Sequence, residues 1–238
     1  MTGDLDYLVV ERQRLQAEYQ RRHQEISPEQ YAPWQPAEIF MRAGRNRLAA
    51  QMLHQARVFP RPGDPCLEVG YGTLGWLGEL INWGLRVGDL HGIELNADRA
   101  SRARKVLPGA DLWEGDAAHL PWEANSFRLV VASTVFTSIL DARVRHRVAE
   151  EISRVLVPGG ALLWYDFAVN NPRNPQVRKV NRRELKELFP GLTGNIRSVT
   201  LAPPLTRWLS PRCWALACCL EGIPWLRTHL LAVLVKPS

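Results

Sequence analysis

The chain has 238 residues, 46% of them apolar, and a formal net charge of +6. This size suits one α/β domain with an appendage, and a second independent domain would be crowded. Residues 213–235 form the most apolar stretch, but Glu221 and Arg227 interrupt it, so we expect no membrane-spanning helix.

Two helices are predicted before the core domain. Residues 4–26 are rich in Glu, Gln, Arg and Leu, with apolar side chains at helical spacing, and a proline-rich turn leads to a second helix over residues 37–58. Prolines and a glycine at residues 60–65 then mark a boundary. We expect a helical cap of residues 1–59 that closes over a core domain of residues 60–238, the two forming one structural unit.

The N-terminus and the cysteines bear on cellular location. Asp4 and Asp6 stand where a secretory signal would carry a basic stretch followed by an apolar core. The four cysteines lack the spacing of a zinc site, and the neighbouring Cys218 and Cys219 suit a reduced compartment. We therefore expect a cytoplasmic protein that binds no metal.

From residue 60 onward, short apolar segments alternate with amphipathic ones. Strands are predicted at residues 65–69, 90–95, 111–115, 127–133, 161–166, 196–202 and 228–235. Helices are predicted at residues 73–84, 97–106, 141–156, 182–189 and 212–220. This alternation is typical of parallel strands joined by crossover helices.

A glycine-rich turn follows the first predicted strand. Gly70, Gly72 and Gly75 fit the Gly-x-Gly-x-x-Gly pattern, which permits a tight turn, close approach of a ligand and an anion-attracting helix N-terminus. Glu94 ends the second strand, where an acid that binds a cofactor ribose belongs. On this pattern alone, a nicotinamide-dependent oxidoreductase is the first alternative.

Two acids and one missing motif favour a different cofactor. Glu68 lies two residues before Gly70, where a carboxylate would repel a pyrophosphate but attract an ammonium or a sulfonium group. Asp116 follows the third strand and suits the exocyclic amine of adenine. The chain has no Tyr-x-x-x-Lys pair, which short-chain oxidoreductases need. The charge pattern therefore favours S-adenosylmethionine.

Five motifs in this order resemble those of the class I S-adenosylmethionine-dependent methyltransferases, in particular the type 11 subgroup. They lie at residues 67–73, 92–95, 115–117, 127–133 and 151–163. The resemblance implies a Rossmann-like α/β fold with a seven-stranded sheet of order 3-2-1-4-5-7-6, an antiparallel strand 7 and helices on both faces. It also implies S-adenosylmethionine as the cofactor.

The resemblance assigns cofactor contacts by position. They comprise Gly70, Gly72 and Gly75 around the methionine portion, Glu94 and Leu95 at the ribose, Asp116 and Ala117 at adenine, and Ser133 near the reacting methyl group. One residue departs from the pattern: Tyr71 replaces the small residue usual between the first two glycines. We expect its ring to cover the cofactor or to shape the substrate entrance.

The family methylates O, N, C and S atoms, so the resemblance names the methyl donor and not the acceptor. A hydroxyl acceptor needs a base, for which Asp166, His119 and His146 are the candidates, and Asp166 and His119 are preferred because His146 lies on a basic helix face. The candidates for substrate binding are Tyr31, Trp34, Phe136, Asn170 and Asn171. Residues 31–34 and 166–175 resemble type 11 proteins of glycan and natural-product biosynthesis, so we expect O-methylation of a sugar or secondary metabolite.

Clustered arginines keep an RNA methyltransferase open as an alternative. The clusters contain Arg42, Arg45 and Arg47, then Arg143, Arg145 and Arg147, then Arg178, Lys179, Arg182 and Arg183. Against it, the chain lacks an appended RNA-binding module and the Asn/Asp-Pro-Pro-aromatic string of base-amine methyltransferases. A non-catalytic cofactor-binding protein is a further alternative. A small molecule is the expected partner.

Overall fold

The computed structural model describes residues 6–25, 27–72, 74–171 and 174–238, which form a seven-stranded sheet flanked by helices. The strand order is β3-β2-β1-β4-β5-β7-β6, and β7 is antiparallel to both of its neighbours. The strands are β1 Cys66–Val69, β2 Leu90–Glu94, β3 Asp111–Glu114, β4 Phe127–Ser133, β5 Leu156–Phe167, β6 Thr193–Leu201 and β7 Arg227–Val235. The predicted fold class and strand order are confirmed.

The helices occupy most of the predicted segments. They are α1 Asp6–Glu25, α2 Pro36–Gln55, α3 Leu77–Asn82, α4 Ala97–Val106, α5 Ala142–Val155, α6 Arg182–Leu188, α7 Pro203–Leu209 and α8 Trp214–Glu221. Short 3₁₀ turns add Pro28–Tyr31, Val87–Asp89 and Pro224–Leu226. The sequence did not predict α7, although Pro203 at its first position has the backbone angle that a helix start requires.

Two predicted boundaries differ from the structure by four residues or more. The helix predicted from residue 73 begins only at Leu77, because Gly70, Gly72 and Gly75 all adopt positive φ, which a right-handed helix excludes. Strand β5 starts at Leu156, before the predicted residue 161, and its register against β4 shifts as a bulge. Residue 73, and residues 4, 5 and 26 of the predicted N-terminal helix, lie outside the described residues.

Helices bury both faces of the sheet, as a largely parallel sheet requires. On one face, α5 presents Val148 and Ile152, four residues apart and almost fully buried. On the other, α2 presents Met52 and Leu53, which pack in the same cluster as Leu163 of β5. The strand ends between these two layers are thereby held in fixed positions.

Helix α1 is joined to the sheet layer by a buried acid. The carboxylate of Glu11, 5% exposed, accepts from the backbone N–H of Leu140 at 2.6 Å and from Arg14 at 2.7 Å. Arg14 also donates to Gln176 Oε1 at 3.0 Å. The helical cap therefore contacts the core domain directly, while the predicted boundary between residues 59 and 60 stays a prediction.

The described residues contain no helix that combines the length and apolar character needed to cross a membrane. All four cysteines are free thiols, and only Cys66 is buried. Burial raises the pKa of the Cys66 thiol, so it packs as an apolar group. Nowhere in the described part of the chain do three or more His, Cys, Asp or Glu side chains form a metal-binding group.

Candidate functional site

Two pockets open side by side where the parallel strands end. The first, called here the glycine pocket, lies under α1 and includes Gly70 and Glu94 in its lining. The second, called the arginine pocket, lies beside the first half of α2 and includes Arg42, Arg45 and Arg207. The residues common to both linings form the shared wall, which consists of Arg22, Ser133, Thr134 and Ser138. The two pockets therefore adjoin at the end of β4.

Most of the predicted cofactor residues line the glycine pocket. They are Gly70, Glu94, Leu95, Asp116, Ala117 and Ser133. These residues come from the ends of four neighbouring parallel strands or the turns after them, which is why segments far apart in sequence meet at one edge.

Glu94 fixes the glycine turn. Its carboxylate is 3% exposed and accepts from Gly72 N at 2.8 Å and from Asn96 N at 2.9 Å. Each carboxylate oxygen keeps further acceptor capacity, because it has two lone pairs. A Cβ on Gly70 would lie 2.9 Å from Val135, so only glycine suits that position. The turn is held by the same acid that faces the pocket.

Asp116 presents a free acceptor. Its Oδ1 accepts from Ala118 N at 2.9 Å, while Oδ2 has no hydrogen-bond partner within the described residues. A buried or half-buried acceptor gains from a ligand donor such as an amine. Asp116 can thus accept a hydrogen bond from a bound ligand.

Helix α1 forms one side of the glycine pocket. Leu8 and Leu15 supply apolar contacts, and Tyr19 lies beside them under the guanidinium of Arg99 at 4.7 Å. The spacing of these α1 side chains predicted a helix face but not its target. No motif marks Arg99 as a pocket residue, because its partner Tyr19 is 80 positions away in the chain.

Glu68 does not line either pocket, contrary to the predicted contact with a cofactor. Its side chain is 1% exposed and its Oε2 accepts from the backbone N–H groups of Trp76 and Leu77, at 2.7 and 2.9 Å. Burial raises the pKa of Glu68 to about 8. Glu68 therefore supports the start of α3 from beneath the glycine turn, and Gly72 and Gly75 shape that turn without lining the pocket.

Tyr71 also turns away from the glycine pocket, and the expectation that its ring covers a cofactor is wrong. The ring is 1% exposed, packs beside Gly92, and its hydroxyl donates to the carbonyl of Trp113 at 3.2 Å. A Cβ on Gly92 would lie 2.5 Å from Cδ1 of Tyr71. The large side chain between the two glycines is accommodated because Gly92 leaves room on β2.

Two further predicted residues are buried away from both pockets. Asp166 is fully buried and accepts from Thr137 N at 3.1 Å, from Thr137 Oγ1 and from Phe167 N at 3.1 Å. Burial raises its pKa to about 6. Phe136 is likewise fully buried, against Phe189 with ring centroids 5.7 Å apart. Asp166 thus positions the loop after β4 and Phe136 belongs to the core, so neither residue lines the glycine pocket or the arginine pocket.

Of the five remaining predicted site residues, one lines a pocket and four do not. Tyr31 lines the arginine pocket. The four that line neither pocket are exposed: His119, Trp34, Asn170 and Asn171. Asn170 uses its Oδ1 to accept from Lys179 N at 2.8 Å, so it orders its own loop.

The arginine pocket contains polar residues that sequence reasoning did not single out as site residues. Glu38 lines it from the first turn of α2, and His229 lines it from β7. The His229 ring stacks on Tyr165, 4.8 Å between centroids and 4° from parallel. Burial, and secondarily Arg45, lower the pKa of His229 to about 3, so this imidazole is neutral at pH 7. No local pattern in the sequence indicates that these residues meet, because Glu38 comes from α2 and His229 from β7.

In the other two arginine clusters, every basic residue except Lys179 and Arg182 forms an ion pair within the described residues. Their ion pairs are Arg143 with Asp141, Arg145 and Arg178 with Glu184, Arg147 with Glu150, and Arg183 with Glu187. The Arg145 side chain is 1% exposed and cannot reach a phosphate backbone. The proposed RNA-tracking surface therefore has little support.

Comparisons with known proteins point to one family. Residues 66–160 match a family model described as a methyltransferase domain. An uncharacterized methyltransferase of Bacillus subtilis, YodH, is 30% identical over 123 residues, which are 50% of each chain. A demethylmenaquinone methyltransferase of Staphylococcus saprophyticus is 24% identical over 181 residues, 75% of this chain and 69% of that protein. The chain thus spans only about half the length of YodH.

A solved structure agrees with this assignment at the level of the fold. It is from Thermotoga maritima and is described as a SAM-dependent methyltransferase, possible histamine N-methyltransferase. It superposes with a TM-score of 0.65 at 18% identity, covering 93% of this chain and 99% of that one. At this identity, the likeness shows a shared fold.

Proposed function

We propose that the chain is a class I S-adenosylmethionine-dependent methyltransferase that transfers the cofactor's methyl group to a hydroxyl of a small molecule, a sugar or a secondary metabolite. The observation that carries this proposal is the shared wall. It puts one pocket suited to the cofactor against a second pocket of separate chemistry. A donor and an acceptor held in these pockets would meet beside Ser133 and Thr134.

The glycine pocket fits S-adenosylmethionine. Asp116 Oδ2 is free to accept from the adenine amine, and Glu94 has lone pairs left for two ribose hydroxyls. Gly70 keeps the backbone open beside the methionine portion. When bound, the cofactor supplies an electrophilic methyl group on a sulfonium leaving group. The protein's task is then alignment of the two reactants and exclusion of water.

Helix α1 performs the exclusion of water in this proposal. Leu8 and Leu15 line the glycine pocket from above, and Glu11 fixes the helix to the loop after β4 through Leu140. Asp166 of β5 fixes the same loop by accepting a hydrogen bond from the backbone N–H of Thr137. The two acids therefore hold the shared wall in place from opposite sides as positioning residues.

Glu38 is the residue we assign to proton removal from the acceptor hydroxyl. Among the described residues it is the one carboxylate that lines the arginine pocket. Burial raises its pKa, although Arg207, Arg42 and Arg45 oppose the shift. A raised pKa makes a carboxylate a stronger base near neutral pH. His229 also lines the pocket, but its imidazole is a weaker base because its pKa is lowered to about 3.

The relative named as a demethylmenaquinone methyltransferase supports a small organic acceptor. RNA remains the alternative acceptor, but the ion-paired and buried arginines described above weaken it. The cytoplasmic location stays a prediction from the sequence.

The full chain should be incubated with methyl-labelled S-adenosylmethionine and separate glycan, metabolite and RNA fractions. We expect label in the glycan or metabolite fraction, with NMR placing the methyl carbon on oxygen. Label confined to RNA would contradict the small-molecule acceptor, and a methyl group on N, C or S would contradict the hydroxyl. Calorimetry that detects binding of NAD alone, or of neither cofactor, would remove the proposal altogether.

Substitution of Glu38 tests its role as the base. Glu38→Gln should lower kcat by about a hundredfold or more and flatten the acidic limb of the pH–rate profile, because the proton acceptor is lost. Glu187→Gln, an exposed glutamate on α6 outside both pockets, is the matched control and should leave the profile unchanged. An unaltered acidic limb in Glu38→Gln would assign the proton transfer elsewhere.

A further inference from the structure

The arginine pocket has an excess of positive charge. Four guanidinium groups line it, from α1, α2 and α7, together with the single carboxylate of Glu38. The four are Arg22, Arg42, Arg45 and Arg207. None of them forms an ion pair with a carboxylate in the described part of the chain. Eight arginines elsewhere do form such pairs: Arg14, Arg21, Arg143, Arg145, Arg147, Arg154, Arg178 and Arg183. With one carboxylate against four guanidinium groups, the pocket lining has a net positive charge.

Arg207 has a buried hydrogen-bond donor without an acceptor in the described part of the chain. Its Nε is buried and has no acceptor among the described residues. The guanidinium also lies over the ring of Tyr31, 5.3 Å from the centroid, which restricts its orientation. A buried donor without an acceptor costs about 1–3 kcal/mol, so an acceptor supplied by a ligand would be favourable.

The guanidinium of Arg45 is stacked on two aromatic rings, which fixes its orientation. The guanidinium lies 4.2 Å from the ring centroid of Trp76 and 5.4 Å from that of Tyr165. Nε donates to Asn46 at 3.0 Å, and the terminal nitrogens have no acceptor among the described residues. A stacked guanidinium keeps its charge while its orientation is fixed, which suits bidentate binding of a planar anion.

We propose that the acceptor molecule carries an anionic group, a carboxylate or a phosphate, which Arg45 and Arg207 bind deep in the arginine pocket and Arg42 binds at its rim. This inference rests on the methyl transfer proposed above, since it names the class of acceptor for the same pocket. The stacked rings of Tyr165 and His229 contact the flat or apolar part of that molecule. The anionic group is the recognition point, and the reacting hydroxyl faces the shared wall.

Simple probes can test this without the natural acceptor. Benzoate, phenyl phosphate and benzyl alcohol share one ring and differ in charge. With S-adenosylhomocysteine saturating, ligand-observed NMR should show at least one of the two anions binding tenfold or more tighter than benzyl alcohol, with an affinity that falls as salt rises. The better anion identifies carboxylate or phosphate as the recognised group. Equal binding of benzyl alcohol, or no binding of either anion, would overturn the inference.

Arginine variants test where the anion binds in the pocket. Arg45→Gln and Arg207→Gln should each weaken anion binding tenfold or more, while Arg183→Gln, an exposed arginine on α6, should not change it. Affinity for S-adenosylmethionine, measured on the same samples, reports whether each variant is folded. Should Arg207→Gln not fold, Arg207→Lys and the salt dependence of the native protein replace it. Undiminished anion binding in both glutamine variants overturns the inference, whereas failure of the native protein to bind S-adenosylmethionine contradicts the proposed function itself.

Discussion

Glu68 and Gly75 share a space that a side chain at residue 75 would fill. A Cβ built on Gly75 would lie 2.7 Å from Cδ of Glu68 and closer still to Oε1. Gly75 also has φ of +42°, a conformation that L residues avoid. The last glycine of the motif therefore lets a buried acid reach the start of α3, where Glu68 accepts from Trp76 and Leu77.

Gly75→Ala should destabilise the protein strongly. The positive φ costs about 1–2 kcal/mol and the collision with Glu68 about 1–3 kcal/mol more, so we expect a loss of about 2–5 kcal/mol. Urea unfolding measures the loss. Gly72→Ala is the matched control, because Gly72 has φ of +60° but nothing within 4 Å of an added Cβ. It should lose only about 1–2 kcal/mol. Equal losses in the two variants would contradict the collision.

Binding of S-adenosylmethionine should respond to the ionisation of Glu68. Burial raises the pKa of Glu68 to about 8, so the neutral form predominates at pH 7. Glu68 lies beneath the glycine turn and outside the pocket, but a sulfonium bound in the pocket would favour its carboxylate through the turn and release a proton. Affinity should then rise as the pH increases from 6 to 9. A drop of one unit in the pKa on binding would give a rise of about tenfold at most.

S-adenosylhomocysteine provides the reference for this measurement, because it shares the amino acid group and lacks the sulfonium charge. Calorimetry should show the ratio of the two affinities rising with pH in the native protein and staying flat in Glu68→Gln. A flat ratio in both proteins would mean that Glu68 is too well shielded to sense the cofactor.

Tyr71 and Gly92 should behave as a coupled pair. Gly92→Ala costs about 1–3 kcal/mol by overpacking, and Tyr71→Ala costs about 3–5 kcal/mol by leaving a cavity. The double variant should cost less than the sum, because the added methyl group no longer meets a ring. Urea unfolding of the four proteins gives the coupling.

The affinity for S-adenosylmethionine distinguishes two roles of Tyr71, packing in the core and covering the cofactor. Tyr71→Leu keeps an apolar side chain in the core but removes the ring, and its affinity for S-adenosylmethionine should stay within about twofold, or about 0.4 kcal/mol. A tenfold loss in a variant that remains folded would restore the lid that the sequence suggested.

The residues predicted at the strand ends meet in the glycine pocket, because the strand order decides where those ends lie. Glu94, Asp116 and Ser133 each end or follow a parallel strand, and parallel strands that share a sheet end at one edge. Once the strands and their order were predicted, these residues could only lie near one another. The same argument cannot say on which side of the strand a side chain points.

The errors at β5 illustrate that limit. Side chains alternate along a strand, so Tyr165 and Phe167 face the arginine pocket while Asp166 between them faces the opposite core. The sequence placed Asp166 correctly at the end of β5, but its side chain points to the face of the sheet opposite the arginine pocket. Register alone decides it, and a shift of one residue would have exchanged these roles.

The arginine pocket could not be predicted from the sequence because no local pattern unites its residues. Arg45, Arg207 and His229 come from α2, α7 and β7, and the first and last are separated by most of the core domain. Only the tertiary packing of α2 against β6 and β7 brings them together.

Asp166 should reveal its buried state through the pH dependence of stability. Burial raises its pKa to about 6 from an ordinary value of 3.8. Between about pH 4 and 6, the folded protein therefore keeps a proton that the unfolded chain has lost, so the free energy of unfolding contributed by this group falls as the pH rises. The fall amounts to about 3 kcal/mol and is complete above pH 6. Asp166→Asn removes this pH-dependent contribution.

The variant also loses an acceptor for Thr137 or Phe167, which costs about 1–3 kcal/mol at low pH. Its deficit relative to the native protein should then shrink from pH 4.5 to pH 7.5 in urea unfolding. Thr137→Val offers a separate check, because hydrogen bonds from Thr137 lower the pKa of Asp166, and without the hydroxyl the fall in stability should move to higher pH. A constant deficit across this range would mean that Asp166 ionises in the folded protein as easily as in water, and the role of a buried positioning residue would then be untenable.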